Sequence, residues 1–196
     1  MATWNPDTAE YEDGDDPINT AAQDDGYLEE TAILAALLAG RMSSKDISPK
    51  SFGDELWALI VDAYIVSYLL GRGGLGSMAD DDWTALGDGL VGQREFLDNF
   101  VKQLGSDDIA EGTIRNRATM YILSSGAMYE YGRHRAKIAS GNYSEEKWSL
   151  GDTEHCSGCT SLAALGWVEL GSLPTVPRAG ATPCLSHCAC RIEYRA

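Results

Sequence analysis

Five cysteines lie close together near the end of this chain, and their thiols are its most chemically specific groups. Cys156 and Cys159 form a C-x2-C pair, and Cys184, Cys188 and Cys190 follow in a second short segment. Two intervening residues let both thiolates of a pair point at one ion, and a second group of cysteines closes the tetrahedron. The spacing therefore predicts a structural Zn²⁺ site with four ligands drawn from these five residues.

The sequence leaves the second pair of ligands open among the last three cysteines, with His187 as a weaker option. His155 adjoins Cys156, and because adjacent residues seldom bind one ion, we interpret it as a neighbour of the site. Disulfides are the main alternative to zinc. However, five is an odd number of cysteines, and a chain without a visible secretory signal is expected to mature in a reducing compartment.

The motifs of enzymes are incomplete in this sequence. Zinc deaminases combine a ligand-x-Glu element with P-C-x-x-C, whereas Pro183 and Cys184 begin a C-x3-C spacing with no His-x-Glu or Cys-x-Glu upstream. The glycines from Gly71 to Gly76 lack the Gly-Lys-Ser/Thr ending of a phosphate loop, so they predict a flexible linker. We therefore expect a protein that is not an enzyme.

The cysteines belong to a segment unlike the rest of the chain. Residues 142–196 hold all five cysteines and three of the six prolines, and they lack an apolar stripe of helix length. Short alternating pieces at residues 168–170 and 191–194 predict brief strands. A loop-rich unit this small needs a staple, and Zn²⁺ binding can supply on the order of 10–16 kcal/mol. We therefore predict a zinc-stapled, loop-rich β module.

A helical body, residues 27–141, is predicted to position this module. Four helices are expected at residues 27–42, from Pro49 to Leu70, near 93–104 and over 108–141. The unbroken apolar run at 32–39 predicts a first helix that is buried on all sides. Asp108 and Glu111 have the spacing of a capping box that would begin the fourth helix, and the acids at 80–82 also indicate a helix N-terminus. The predicted fold is mainly α.

Charge and hydropathy narrow the classes of function. The chain has 30 acidic and 15 basic residues, a net charge of −15, which argues against strong nucleic-acid binding. Residues 1–26 predict an acidic, extended N-terminal arm, either solvated or anchored on a neighbouring subunit by Trp4 and Tyr11. The longest apolar stretch, residues 56–70, contains Asp62 and is shorter than the ~20 residues that span a bilayer. We expect a soluble protein made in the cytoplasm.

The order of motifs in the rear half is similar to that of a known family. The motifs are Arg-Ala-x-Met-Tyr at 117–121, Trp148, Gly-Asp-x-Glu-x-Cys-x-x-Cys at 151–159, Leu162, Gly166, and Thr-x-Cys-x3-Cys-x-Cys-Arg at 182–191. Residues 109–196 thereby resemble the C-terminal head-morphogenesis domain of tailed-bacteriophage minor head proteins, the family that includes the F protein of phage Mu. The resemblance implies no catalytic residues.

The resemblance implies a virion structural protein in the head or head–tail region, with the major capsid protein, the portal protein or both as partners. Apolar helix faces containing Trp57, Tyr64 and Leu70 would pack against a second copy or against another protein. Alternatively, the same faces form the core of one chain. The alternative function is a zinc-ribbon adaptor or regulator that binds protein or DNA in the host cell.

Overall fold

Helices form most of this protein, which a computed structural model describes at residues 3–13, 16–17, 20–106 and 108–196. The helices are α1 (Thr20–Ser43), α2 (Pro49–Arg72), α3 (Asp80–Ser106), α4 (Glu111–Leu123), α5 (Gly126–Ser140) and α6 (Ser157–Ala163). The strands are β1 (Thr3–Asn5), β2 (Glu10–Asp13), β3 (Asp16–Pro17), β4 (Glu145–Ser149), β5 (Val168–Glu169) and β6 (Arg191–Arg195). The predicted class, a mainly α body with a small C-terminal β module, is confirmed.

Helix α1 buries one face of its apolar run and leaves the other open. Ala35 and Leu38 belong to the core that α1 shares with α2 and α4. Ile33, Leu34 and Leu37, by contrast, are 61%, 52% and 63% exposed. The prediction that this helix is buried on all sides is therefore wrong. No helix in the described part of the chain is both long enough and apolar enough to cross a bilayer.

Helix α2 begins at Pro49, as predicted, and ends at Arg72, two residues beyond the predicted end at Leu70. Ser48 is its N-cap, accepting a hydrogen bond from the Ser51 amide, and Pro49 takes the first helical position, where its missing N–H costs nothing. Gly73 ends the helix in the left-handed region at φ 99°, and its N–H donates to the Leu69 carbonyl. Tyr64 is buried in the core of its own chain.

Helix α3 begins at the acidic run, as predicted, but well before the predicted stripe at 93–104. Leu97, Phe100 and Leu104 from that stripe are buried, whereas Phe96 is 65% exposed. The stripe therefore marks only the second half of α3. The first half contributes Leu86 to the core while most of its other side chains face outward.

The predicted fourth helix is two helices, α4 and α5, joined at Ser124 and Ser125. The Ser124 hydroxyl donates to the Tyr121 carbonyl at 2.8 Å, a back-bond that competes with regular helix geometry. The capping box is also wrong, because the N-cap of α4 is Ala110 and makes no side-chain cap. The break lets α4 pack on α1 while α5 packs on α2.

Helices α2 and α5 cross with their backbones in contact. A Cβ on Gly71 would overlap the Tyr129 carbonyl, and one on Gly132 would overlap the Tyr68 carbonyl. Gly71 lies inside α2, so it serves this close approach rather than the predicted helix stop.

The N-terminal segment, predicted as an arm over residues 1–26, contains the strands β1, β2 and β3 and also the start of α1. Strands β1, β2 and β3 form an antiparallel sheet in that order, with Trp4 opposite Tyr11. Part of the predicted arm lies outside the described residues, namely 1–2, 14–15 and 18–19. The described strands lie against helices of the same chain.

A buried lysine holds this sheet to α5. The Lys137 side chain is 2% exposed, and its ammonium donates to the Thr8 carbonyl at 2.5 Å and pairs with Glu10 Oε1 at 3.0 Å. The ring of Trp4 packs directly on Gly73, the residue that ends α2. The glycine-rich segment therefore links α2 to α3 and also receives an aromatic side chain of the N-terminal sheet.

The C-terminal module is built on an antiparallel sheet with β4 in the middle, in the order β5-β4-β6. The predicted strands at 168–170 and 191–194 are confirmed as β5 and β6. Trp148 of β4 and Ile192 of β6 are paired and buried, forming an apolar cluster that also includes three cysteines. The module therefore combines a small apolar core with its sulfur cluster.

Candidate metal centre

The first two sulfurs are positioned by the start of α6. Cys156 is the N-cap of this helix, and its Sγ accepts the amide N–H of Cys159 at 3.4 Å. One turn of helix thereby directs both side chains to the same side. Gly158 between them lies tightly against Thr182 and Pro183, since a Cβ there would approach the proline ring to 2.9 Å. The glycine thus allows the second cysteine segment to approach the first.

The second segment is shaped by a short 3-10 turn, Leu185–His187, that follows Cys184. The Leu185 amide donates to the Thr182 carbonyl at 2.9 Å, and the His187 amide donates to the Cys184 carbonyl at 3.0 Å. Leu185 takes a positive φ of 52° in this turn. The chain then turns Cys188 inward, where its side chain is buried.

The structure brings all five predicted cysteines together as free thiols. Cys156 Sγ lies 3.6 Å from Cys184 Sγ, and Cys159 Sγ lies 3.5 Å from both Cys184 Sγ and Cys188 Sγ. The sulfurs form two trios, and within each trio all sulfurs lie within 4.8 Å of one another. The first trio is Cys156, Cys159 and Cys184, and the second is Cys159, Cys188 and Cys190.

These separations fit a metal ion. Zn–S bonds of about 2.3 Å in a tetrahedron place the sulfurs about 3.8 Å apart. Three sulfur pairs, at 3.5–3.6 Å, are close to this value, and the mutually close sulfurs form two trios that share Cys159. A disulfide needs a sulfur–sulfur distance of about 2.05 Å, and the cysteines are not paired in that way. The C-terminal cysteine cluster could therefore hold a metal ion.

Of the two histidines near the cysteines, His187 lies apart from the cluster and His155 lies beside it. His187 is exposed and belongs to neither trio. The Nε2 atom of His155 lies 2.8 Å from the Gly151 carbonyl, and its Nδ1 is 4.0 Å from Cys190 Sγ. His155 thus neighbours Cys190, which agrees with its interpretation as a neighbour of the site.

The thiols differ in how readily they ionise. The amide N–H of Cys159 lowers the pKa of Cys156 to about 6, because it stabilises the thiolate at the helix N-cap. Burial, together with the surrounding thiols, raises the pKa of Cys159, and burial likewise raises that of Cys184. Of these three thiols, Cys156 is therefore the most readily ionised. A bound cation would favour the ionised form of each ligand.

The module is attached to the helical body by polar contacts that the sequence analysis missed. Glu146 of β4 is fully buried, accepts the amides of Gly171 and Leu173 at 3.1 and 2.8 Å, and lies 2.7 Å from His134 Nε2. Burial acts to raise the pKa of Glu146, but hydrogen bonds from His134 and the Leu173 amide hold it below its ordinary value. The sequence of β4 contains a single apolar residue, Trp148, so it carries no apolar alternation that would have indicated this strand.

Arg178 is a second missed residue, and it joins the cysteine loop to α1. Its Nε donates to the Cys188 carbonyl at 3.4 Å, and its Nη1 pairs with Asp25 at 2.6 Å.

Comparison of the chain with family models, with curated proteins and with solved structures found no match.

Proposed function

We propose that this protein is a structural component of a bacteriophage virion, acting in head assembly through contacts with the major capsid protein, the portal protein or both. In this proposal the cysteine cluster holds one structural Zn²⁺ through Cys156, Cys159, Cys184 and Cys188. The ion stabilises the C-terminal module, and an apolar groove between that module and the helices binds the partner.

The four proposed ligands are connected by sulfur separations of 3.5–3.6 Å. Cys156, Cys184, Cys159 and Cys188 form a continuous series with successive distances of 3.6, 3.5 and 3.5 Å. Four sulfur ligands favour zinc over oxygen-seeking ions such as Mg²⁺ and Ca²⁺, and they leave no open position for a substrate. This donor set supports a structural ion rather than a catalytic one.

The shape and lining of the groove support the proposal that it binds a protein partner. It has a volume of about 570 Å³ and is bounded by α3, α4, α5 and the loop at residues 178–186. Its lining includes Phe96, Met120 and Leu185, which are 65%, 42% and 49% exposed. Contiguous exposed apolar side chains are typical of protein contact sites.

The charge of the groove also favours a partner. Although the chain has 30 acidic residues, none of the described residues that line the groove is Asp or Glu. Arg117 lies there with its guanidinium 4.9 Å above the Phe100 ring. A partner segment with apolar anchors and a nearby carboxylate would complement this surface. The phage assignment itself depends on the motif resemblance over residues 109–196.

The experiment is to purify phage particles from cells that make this chain and to search them for its peptides by mass spectrometry. We expect the native chain in the particles, with one equivalent of zinc in the purified protein. We expect Phe96→Glu to reduce incorporation at least about tenfold, because a charge in the groove opposes apolar contact. Val91→Glu is the matched control, since Val91 lies on the same helix, is 62% exposed and does not line the groove.

Two results would contradict the proposal. Particles that lack the chain, while the cell lysate contains it, would favour the zinc-ribbon adaptor instead. Equal incorporation of Phe96→Glu and Val91→Glu would leave the virion role intact but would overturn the assignment of the groove as the contact site.

A further inference from the structure

The outward face of α1 is more apolar than a solvated helix requires. Ile33, Leu34 and Leu37 lie on one side of this helix, within four residues of one another, and each is more than half exposed. Single exposed apolar residues are common on protein surfaces, but three on one helical stripe form a patch. In the described chain this stripe points away from the helices that pack on α1, so its own fold does not cover it.

Charged residues of opposite sign lie at the two ends of this stripe. Glu30 precedes the apolar residues by one turn, and Arg41 follows them by one turn on the same face. Both side chains are exposed. Arg41 pairs with Glu55 at 2.9 Å, but both side chains of that pair are about half exposed, so the interaction is weak and Arg41 can take a second acceptor.

We propose that the α1 stripe is a homodimer interface, in which a second copy of this chain packs its own α1 antiparallel to the first. A two-fold axis midway between Leu34 and Leu37 places Leu34 of each copy against Leu37 of the other. Glu30 and Arg41 are equally distant from the same midpoint, so this register also sets Glu30 of each copy against Arg41 of the other. An isologous contact of this kind repeats each pair twice.

The charges of Glu30 and Arg41 favour a second copy of this chain as the partner that covers the α1 stripe. A parallel pair would set Glu30 against Glu30 and Arg41 against Arg41, whereas the antiparallel pair makes two attractive contacts from one sequence. The apolar area is small, since three side chains from each copy form its centre. We therefore expect a weak dimer, with a dissociation constant in the micromolar range.

The test is analytical ultracentrifugation of the zinc-loaded chain over a range of concentrations up to roughly 200 µM. We expect a concentration-dependent dimer. Leu34→Glu should raise the dissociation constant at least about tenfold because it buries a charge at the two-fold axis. Val91→Glu, at a position on α3 that is also more than half exposed, should leave the dissociation constant unchanged. Circular dichroism of each variant checks that the monomer still folds.

Charge reversal tests the register. Glu30→Arg alone and Arg41→Glu alone should each weaken the homodimer, since each sets like charges against one another. Mixing the two variants should restore dimers, because every pair across the axis is then attractive. A native chain that is monomeric throughout the range would overturn the proposal, as would a dimer that Leu34→Glu leaves intact or a mixture that stays monomeric. These outcomes are independent of whether the chain occurs in virions.

Discussion

Cysteines that the sequence offers as alternative ligands have different environments in the cluster. Cys188 and Cys190 are separated by one residue, and both are buried. Cys188 Sγ lies 3.5 Å from Cys159 Sγ, whereas Cys190 Sγ neighbours the His155 ring at 4.0 Å. Cys190 Sγ also lies within 4.8 Å of the sulfurs of Cys159 and Cys188, and Cys188 is the proposed fourth ligand because of its 3.5 Å separation from Cys159.

We expect Cys188→Ser to lose zinc and Cys190→Ser to keep it. Removing a ligand leaves three sulfurs and forfeits much of the folding free energy that the ion supplies, on the order of several kcal/mol. Metal content by mass spectrometry and thermal unfolding with and without a chelator measure both effects. Zinc retained by Cys188→Ser and lost from Cys190→Ser would show that Cys190 is the fourth ligand.

Asp82 has a role in the folded protein that its position in the sequence does not indicate. The sequence indicates only an acid at a helix N-terminus, yet its side chain is fully buried and accepts from Tyr68 at 2.6 Å, Arg72 at 3.0 Å and Arg135 at 2.6 Å. Burial acts to raise the pKa of Asp82, but the Tyr68 hydroxyl, the Ala79 amide and Arg72 together hold it below its ordinary value. It thereby ties α3 to α2 and α5.

At the scale of elements, the crossing of α2 and α5 organises the helical body. Gly132 has no side chain because the backbone of α2 occupies the space beside it. The same contact brings α5 into position to hold the N-terminal sheet through Lys137 and the module through His134. Both attachments depend on two helices approaching closely.

We expect Gly132→Ala to destabilise the protein by about 2–4 kcal/mol, because the added methyl group must separate the two helices. Gly87→Ala is the matched control in α3, since a Cβ there meets open space. There the gain in helix propensity should stabilise by up to about 1 kcal/mol. Urea unfolding of the zinc-loaded proteins measures both changes. Equal effects of the two substitutions would contradict the close crossing.

At the scale of the whole molecule, buried carboxyl groups lie where α1, α5 and the cysteine loop meet. Asp24 is 1% exposed, and burial raises its pKa to about 7, with Ser67 and Arg178 offsetting part of the increase. Burial likewise raises the pKa of Glu130, although Arg133 and Arg178 oppose it. Arg178 of the loop thus faces these two buried acids in addition to its ion-pair partner Asp25.

A raised carboxyl pKa makes the folded state bind more protons than the unfolded chain between about pH 4 and 7. Stability associated with Asp24 therefore falls as pH rises through this window, and the full penalty is present above pH 7. We expect Asp24→Asn to be more stable than the native chain at pH 8 by roughly 2–4 kcal/mol. This advantage should shrink as pH falls toward 5.

Urea unfolding of the native and variant chains at matched pH measures this difference, and comparing the two cancels titrations that they share. Glu29→Gln, at an exposed position on the same helix, is the control and should track the native profile. An Asp24→Asn variant whose advantage does not vary with pH would contradict the assignment of a raised pKa to Asp24.

Signals within a few residues determined much of the fold from the sequence alone. Pro49 marked the start of α2, the glycine run from Gly71 placed its end within two residues, and alternation indicated β5 and β6. The Cys156–Cys159 knuckle indicated one half of a metal cluster. These features depend only on local backbone geometry, so they can be predicted directly from the sequence.

The tertiary structure alone decided the features that depend on distant partners. The position of α2 and α4 decides which face of α1 is buried. A run in which every residue is apolar does not indicate that face. Whether Lys137 or Glu146 is buried depends on partners supplied by other strands and loops. The same holds for Cys188 and Cys190, because a sulfur joins the cluster through its distance to Cys159, and spacing along the chain does not fix that distance.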